Sequence, residues 1–156
     1  MIREQADLVR GLPLEDASAV LALGAPASLV AGQVLFDLGQ PADALYLIRR
    51  GRVALSLPML IGGRDEDVVI EEHQPGETLG WSALVPPHRF TLKATAPLAT
   101  DVLAVRRADL LHYCATNPRV GQIVALNIAA IIGQRLQLFQ AMWLRQMQRV
   151  VSQVRA

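Results

Sequence analysis

The sequence predicts a mainly β fold with flanking helices: a roll of the jelly-roll, double-stranded β-helix type that carries a long C-terminal helix. Short alternating strands separated by turns fill the middle of the chain, and helical periodicity occurs at both ends. No linker, repeat or low-complexity tract divides the 156 residues. We therefore expect one domain over 1–156, made of an N-terminal helical segment (1–31), a β-roll (32–106) and C-terminal helices (107–156).

The N-terminal segment contains a predicted helix over 13–23. It opens on a proline, and Glu15 and Asp16 place negative charge in the first turn, where the helix dipole favours it. Gly24 and Pro26 are expected to end the helix.

The roll is predicted from short strands that turn residues separate. The expected strands cover 34–36, 45–50, 52–57, 68–71, 78–79, 90–96 and 100–105. Val53, Leu55 and Leu57 alternate with other residues and share one face, as in a half-buried strand. The polar, glycine-containing segment 61–67 is predicted to be a flexible hairpin tip.

Two helices are predicted to close the chain, over 108–117 and from about residue 119 to the end. In the second, side chains recur at alternating three- and four-residue steps, which is the pattern of a coiled-coil seam. The seam predicts a homodimer. Its candidate interface residues are Leu126, Leu136, Trp143, Met147, Val150 and Val154.

The C-terminal segment is basic, because the chain has no acidic residue after Asp109 while five arginines follow. Arg145 and Arg149 fall away from the seam, which is the pattern of a solvated helix face. Contact of this helix with a membrane surface or an acidic partner is the alternative interpretation.

Composition narrows the functional class. The net charge of +1 does not favour general binding to nucleic acid, and a single cysteine, Cys114, cannot form an internal disulfide. The N-terminus lacks the basic-then-apolar pattern of a signal peptide. The apolar stretch 120–132 is shorter than the ~20 residues that cross a bilayer. A cytoplasmic chain without a transmembrane segment is expected.

The most informative pattern lies over 32–53. Gly39 and Gly51 occupy sharp reversals between strands, Asp43 lies in a turn, and Leu45 and Val53 fill the roll. This spacing resembles the signature of the cyclic-nucleotide-binding domain found in bacterial catabolite-activator-type regulators. The resemblance implies a cyclic-nucleotide-binding β-roll and carries no ligand chemistry by itself.

The segment 75–84 resembles the phosphate-binding cassette of that family. The resemblance implies a short helix that offers backbone N–H groups to the cyclic phosphate, a glutamate for the ribose hydroxyl and an arginine on the next strand for the phosphate. The candidate ligand-binding residues are Gly80, Trp81, Ser82, Ala83, His88 and Arg89.

Two positions depart from the family pattern. Trp81 replaces the glutamate, and an indole cannot accept a hydrogen bond from a sugar hydroxyl. The arginine position, counted back from Ala94, falls on His88, and a histidine is a poor replacement because an unperturbed imidazole is mostly uncharged at neutral pH. Arg89 follows and would point to the opposite face of a strand, unless the prolines at 86–87 shift the register and turn it inward. Altered or lost cyclic AMP binding is expected.

Both replacement residues admit two interpretations. Trp81 either stacks on a planar ligand or plugs the pocket with its own ring, and the plug is favoured. His88 and Arg89 either bind an anion beside the cassette or belong to a solvated loop.

Metal and covalent chemistry are not favoured. The histidines at 73, 88 and 112 lack a chelating spacing, and His112 with Cys114 is a single weak pair, so structural roles are preferred over haem or metal. The segment around Ser82 lacks the second glycine of a nucleophile elbow. No catalytic residue, metal ligand or cofactor is therefore assigned.

The leading hypothesis is a non-enzymatic regulatory or sensor module whose ligand, if any, is a cyclic nucleotide or another small anion. A ligand-free dimeric interaction scaffold and the sensor half of a longer transcription regulator are the alternatives. In regulators that share the roll, a helix-turn-helix domain follows the long helix. The chain stops at Ala156, so no direct DNA binding by this chain is expected.

Overall fold

The computed structural model describes residues 6–155, and it confirms a mainly β roll with flanking helices. The strands are β1 (Ala25–Leu29), β2 (Val34–Phe36), β3 (Ala44–Arg50), β4 (Val53–Ile61), β5 (Arg64–His73), β6 (Thr78–Leu79), β7 (Lys93–Thr95) and β8 (Thr100–Arg106). The α-helices are α1 (Leu14–Leu21), α2 (Arg107–Thr116) and α3 (Pro118–Val154), and two 3-10 helices cover Asp7–Val9 and Trp81–Leu84. Residues 1–5 and 156, which the predicted terminal segments include, lie outside the described residues.

Two four-stranded antiparallel sheets form the roll. Their strand orders are β1-β8-β3-β6 and β2-β7-β4-β5. Alternation puts Leu45 and Leu47 of β3, Val53 of β4 and Val102 of β8 inside, and all of them are essentially buried in one hydrophobic core. The sheets therefore hold the cassette segment against a continuous apolar core.

The roll begins earlier than the sequence predicts. The helical segment expected over 1–31 contains strand β1, which pairs with β8 from Ala25 opposite Ala104 to Leu29 opposite Thr100. Because β1 is the edge strand of its sheet, Pro26 can lie in it although proline cannot donate a ladder hydrogen bond.

The hairpin formed by β4 and β5 is longer than expected, and its tip is smaller. Only Gly62 and Gly63 form the turn, with φ values of 57° and 79°, in the left-handed region that a two-residue hairpin turn requires. Residues 61 and 64–67, predicted to be loop, are paired strand residues. In contrast, β7 covers only Lys93–Thr95 of the strand expected over 90–96.

The long helix α3 is docked along its first half only. Its buried residues are Val120, Val124, Ile128, Ile131 and Arg135. Every described residue from Leu136 onward is exposed. The helix therefore leaves the roll directly after Arg135.

By length and composition, α3 could also cross a membrane. An 18-residue window in it has a mean hydropathy of 1.3, and 22% of that window is buried in the protein. The expectation that the chain has no transmembrane segment was based on the stretch 120–132, which is shorter than this window. A single helix of this kind is weak evidence for a membrane span, because the core helix of a soluble protein can have the same length and hydropathy.

Candidate functional site

The predicted cassette begins at a backbone reversal that requires glycine. Strand β6 ends at Leu79, and Gly80 follows with a φ of 79°. A Cβ on Gly80 would lie 3.1 Å from the Ala44 carbonyl oxygen and 3.2 Å from the Phe90 ring. The 3-10 helix Trp81–Leu84 that follows is here named the cassette helix. The left-handed conformation and the close approach explain why the residue before this helix is glycine.

The side chains of the cassette helix differ in burial. Ser82 and Ala83 are buried, whereas Trp81 is half-buried and lies outside the hydrophobic core cluster. The nearby aromatic cluster is formed by Phe36, Tyr46 and Phe90, in which Phe36 stacks on Phe90 with ring centres 3.8 Å apart. Within residues 6–155, Trp81 makes no ring contact. The indole is thus less enclosed than the plug interpretation expects.

His88 faces the cassette helix. Its Nδ1 donates a hydrogen bond to the Ala83 carbonyl oxygen at 3.0 Å, and its own carbonyl accepts one from the Ala42 N–H at 2.8 Å. The backbone of His88 has a φ of 56°, so the residue lies in a turn and not in a strand. The structure therefore brings His88 and Ala83 together as part of one site.

Arg89 is turned away from the cassette helix. It is exposed, its Nη1 donates to the Gly39 carbonyl oxygen at 2.8 Å, and its backbone forms an isolated antiparallel bridge with Pro41. The prediction that 90–96 is a strand, on which the alternation argument for His88 and Arg89 depends, is wrong for Phe90 to Leu92. Neither residue follows strand alternation, and Arg89 is not swung inward.

Arg107, the first residue of α2, belongs to the same site and was not predicted from sequence. Its Nη1 donates to the carbonyl oxygens of Ala42 at 3.2 Å and Ala83 at 3.1 Å, and its Nη2 lies 4.0 Å from Asp43 Oδ1. The contact with Ala83 spans 24 positions in sequence. Spacing within a motif gives no signal for such a contact.

The site is therefore basic, and part of its hydrogen-bonding capacity is already used. The Ala83 carbonyl accepts from both His88 and Arg107. A guanidinium has five N–H donors, so Arg107 retains capacity for an anion, while His88 keeps only Nε2 available. The arrangement can attract a small anion, but it offers no carboxylate at the position of Trp81.

An apolar groove lies beside the end of the cassette helix, and it was also missed from sequence. Its volume is about 470 Å³. It is lined by Leu84, Val85, Leu110, Leu111, Cys114, Ala115, Pro118, Gly121, Val124, Ala125 and Ile128. Burial raises the pKa of the Cys114 thiol above its ordinary value, which keeps this cysteine a neutral apolar wall of the groove.

The candidate seam residues of α3 are all exposed on its surface. Trp143 is 62% exposed, and Leu126, Leu136, Met147, Val150 and Val154 are exposed as well. Phe139, Leu144 and Val151 widen the apolar stripe. Within residues 6–155, no group of three or more His, Cys, Asp or Glu side chains is placed to hold a metal ion.

A family model described as "Cyclic nucleotide-binding domain" matches residues 26–117, from the second residue of β1 to the residue after α2. The curated "Cyclic AMP receptor protein" of Thermus thermophilus is 32% identical over 106 residues, covering 68% of this chain and 46% of that protein. The chain thus spans less than half the length of this relative.

Solved structures agree with the fold. The crystal structure of the Thermus thermophilus catabolite activator protein matches with a TM-score of 0.75 and 28% identity, over 92% of this chain and 63% of that one. The N-terminal domain of a transcriptional regulator from Streptomyces coelicolor A3(2) matches with a TM-score of 0.72 and 24% identity, over 89% of this chain and 95% of that one. The second match bears on the fold alone.

Proposed function

The chain belongs to the cyclic nucleotide-binding domain family, and we propose that it is a non-enzymatic regulatory module whose binding of cyclic AMP is altered or lost. The observation that carries the proposal is the pair of side chains at the two ligand-binding positions of the family resemblance. Trp81 stands where the resemblance implies a ribose-binding glutamate, and His88 stands where it implies the phosphate-binding arginine. The module is proposed to act in the cytoplasm.

The tryptophan removes the acceptor for the sugar. Indole carries one N–H donor and no acceptor, so the ribose hydroxyl would lose its charged partner. A hydrogen bond to a charged group contributes about 1.5–3 kcal/mol, which is one to two powers of ten in affinity. Loss of this one contact would raise the dissociation constant of a one-micromolar site to about 10–100 micromolar.

The histidine weakens the phosphate contact. Because Nδ1 donates to the Ala83 carbonyl, His88 presents only Nε2 to a ligand. An imidazole that carries a proton on Nδ1 and none on Nε2 is uncharged. A bidentate, permanently charged guanidinium contact is therefore absent at this position. Arg89 is bound to Gly39 and is exposed, so it does not replace that contact.

We propose further that the module is a homodimer through the free half of α3. Within residues 6–155, the stripe from Leu136 to Val154 is exposed and lies beyond the buried part of the helix. A continuous apolar stripe of this length in water marks an interface, and Gln140 within it would fix the register of two paired helices.

Two alternatives extend the same proposal. The module either is a ligand-free dimeric scaffold or forms the sensor half of a longer transcription regulator. The second is favoured by the curated relative, of which the chain covers only 46%.

Calorimetric titration of the purified protein with cyclic AMP, cyclic GMP and cyclic di-GMP tests the ligand proposal. We expect no saturable heat with cyclic AMP at micromolar concentration. A micromolar dissociation constant for cyclic AMP would restore an ordinary nucleotide sensor, whereas binding of one of the other two nucleotides would identify an altered pocket. Light scattering on the same sample tests the dimer.

A further inference from the structure

A buried arginine holds the middle of the long helix on the roll. Arg135 of α3 is 8% exposed, and its Nη1 lies 3.2 Å from Glu71 Oε1 on β5. An arginine is almost never buried without a partner, because removing its charge from water is costly. The other buried residues of α3 are the apolar Val120, Val124, Ile128 and Ile131. Within the described helix, Arg135 is therefore the buried residue that docks through charge.

The carboxylate that binds Arg135 also faces an imidazole of the roll. His73, the last residue of β5, is 9% exposed, and its Nε2 lies 3.1 Å from Glu71 Oε2. The two oxygens of Glu71 are thus divided between a group on the roll and a group on the helix. When His73 is neutral, Arg135 is the only cation at this carboxylate among the described residues. When His73 is protonated, two cations share it.

Two further carboxylates face this cluster. The Nδ1 of His73 lies 3.4 Å from Glu77 Oε2, and Asp7 comes from the N-terminal 3-10 helix. All five groups, including Glu71 and Arg135, line one cavity of about 180 Å³. The carboxylates and the imidazole belong to the roll and to the N-terminal segment. The long helix contributes one charge to the cavity, and that charge is positive.

The attraction that the helix experiences depends on the protonation of His73. The three carboxylates that line the cavity give a formal charge of −3, and a proton on the imidazole reduces it to −2. The imidazolium also repels the guanidinium of Arg135 directly, in a site where little water screens the two charges. Both effects have the same sign, so a proton on His73 weakens the docking of α3.

We propose that protonation of His73 loosens the docked end of the long helix, so that α3 is held at Arg135 less firmly in acid than in alkaline solution. Because Arg135 is the last buried residue of α3, the turn that opens is the one that precedes the exposed half. The apolar residues nearer to the start of α3 keep the rest of the helix docked. All of the groups lie in one chain, so the inference does not depend on the proposed dimer or on a ligand.

The pH range follows from the surroundings of His73 in the two states of the helix. In the docked state burial lowers the pKa of His73, but Glu71 and Glu77 outweigh burial and the charge of Arg135, and they raise the pKa above its ordinary value. When the turn opens, the two glutamates stay beside the ring because they belong to the roll. Only Arg135 and the burial that α3 provides are lost, and both of these lower the pKa of His73.

The open state therefore binds the proton more tightly than the docked state. By linkage, the contribution of His73 to docking is fully present above the pKa of the open state, and it is lost as pH falls through the pKa of the docked state. Both pKa values lie above the ordinary histidine value of about 6.5. The helix is therefore held most firmly in alkaline solution and is loosened as pH falls toward mild acid.

The neighbouring glutamates keep their charge across this range. Burial acts on Glu71 most strongly and raises its pKa, but His73 and Arg135 outweigh burial, so that the pKa is lowered. For Glu77 the contact with His73 acts first, and the pKa is lowered as well. The carboxylates that hold the guanidinium thus stay ionised while His73 titrates.

Hydrogen exchange along α3 tests the proposal. Protection factors of residues 131–139, corrected for the intrinsic pH dependence of exchange, are measured from about pH 8.5 to about pH 6 and compared with those of residues 120–128. The second range is an internal reference for global stability. In the wild-type chain we expect the protection of 131–139 relative to this reference to fall by roughly three- to tenfold as pH falls. His73→Gln should abolish the fall, and the matched control His112→Gln, at an exposed position on α2, should keep it.

A second variant tests the same coupling from the side of the helix. Arg135→Met removes the charge and retains an apolar side chain that can still cover the cavity. The pKa of His73, followed by NMR of its ring, should rise in this variant because the guanidinium no longer repels the proton. The control Arg145→Met, in the exposed half of α3, should leave this pKa unchanged.

Three results would each overturn the proposal. The first is wild-type protection that is independent of pH or increases toward acid. The second is a fall in protection that persists in His73→Gln. The third is a His73 pKa that Arg135→Met leaves unchanged or lowers, and this result decides the matter even where His73→Gln does not fold.

Discussion

His88 donates a hydrogen bond from Nδ1 to the carbonyl oxygen of Ala83, 3.0 Å away. This bond fixes the ring against the end of the cassette helix and leaves only Nε2 free for a ligand. It also places the imidazole within one site with Arg107, which donates to the same carbonyl. One of the two ring nitrogens of His88 is therefore occupied by the protein itself.

Replacement of both altered positions should restore cyclic AMP binding. The change Trp81→Glu supplies an acceptor for the ribose hydroxyl, and His88→Arg supplies a permanent partner for the phosphate. Each charged contact contributes about 1.5–3 kcal/mol, so we expect the affinity of the double variant to exceed that of the wild type by at least about tenfold. Calorimetry measures the gain, with Trp81→Glu/His88→Gln as the control that lacks the cation. A folded double variant without any gain would show that the register across 86–87 is not the one inferred.

Arg107 should stabilise the roll by joining α2 to the cassette helix. Arg107→Gln removes the hydrogen bonds to Ala42 and Ala83, and we expect a loss of about 1–2 kcal/mol in the free energy of unfolding. Urea unfolding measures it. The adjacent Arg106 is exposed, so Arg106→Gln is the matched control and should change stability by less than about 0.5 kcal/mol. Equal urea midpoints for Arg107→Gln and Arg106→Gln would show that the hydrogen bonds of Arg107 do not stabilise the roll.

Gly51 should tolerate substitution far less than Gly39, although both have positive φ near 80°. A Cβ on Gly51 would lie 2.6 Å from the Ala99 carbonyl oxygen and 2.8 Å from the Thr100 Cα, whereas a Cβ on Gly39 meets open space. We expect Gly39→Ala to cost about 1–2 kcal/mol from backbone strain alone. Gly51→Ala should cost at least about 3 kcal/mol, because backbone atoms must move as well. Thermal unfolding compares the two, and equal losses would contradict the close approach.

Trp143 should anchor the proposed dimer. Because Trp143 is 62% exposed in the single chain, Trp143→Ala should leave the fold of one chain unchanged. Truncation of a buried interface aromatic weakens association by about 2–4 kcal/mol. Sedimentation across a dilution series measures the shift, with Arg145→Ala as the control on a different face of the same helix. A wild-type chain that is monomeric at micromolar concentration would favour a different partner or a membrane surface for this stripe.

The glycine and strand pattern predicted most of the fold because it reports local geometry. Strands β2 and β6 match the predicted bounds, and β3, β8 and both C-terminal helices match within two residues at the described ends. The edge strand Ala25–Leu29 was missed, since its small residues and Pro26 carry no β signal and its pairing with β8 is long-range. The extended tip of β4 and β5 was missed because polar residues on an exposed ribbon resemble a loop in sequence.

The site was harder to predict because its contacts are not local. Gly80 through Ala83 and His88 do lie together, as the family resemblance implies. Arg107 reaches Ala83 through the packing of α2 on the roll, and no spacing rule places it there. Likewise, Arg135 comes within 3.2 Å of Glu71 only because α3 packs on the roll.

Loss or alteration of cyclic AMP binding can be read from the fluorescence of Trp81. The chain has two tryptophans, so Trp143→Phe leaves Trp81 as the single reporter, half-buried at the start of the cassette helix. Titration of this variant with cyclic AMP should give no saturable change in emission up to millimolar concentration. A saturable change with a micromolar midpoint would show instead that the chain has an ordinary cyclic AMP site.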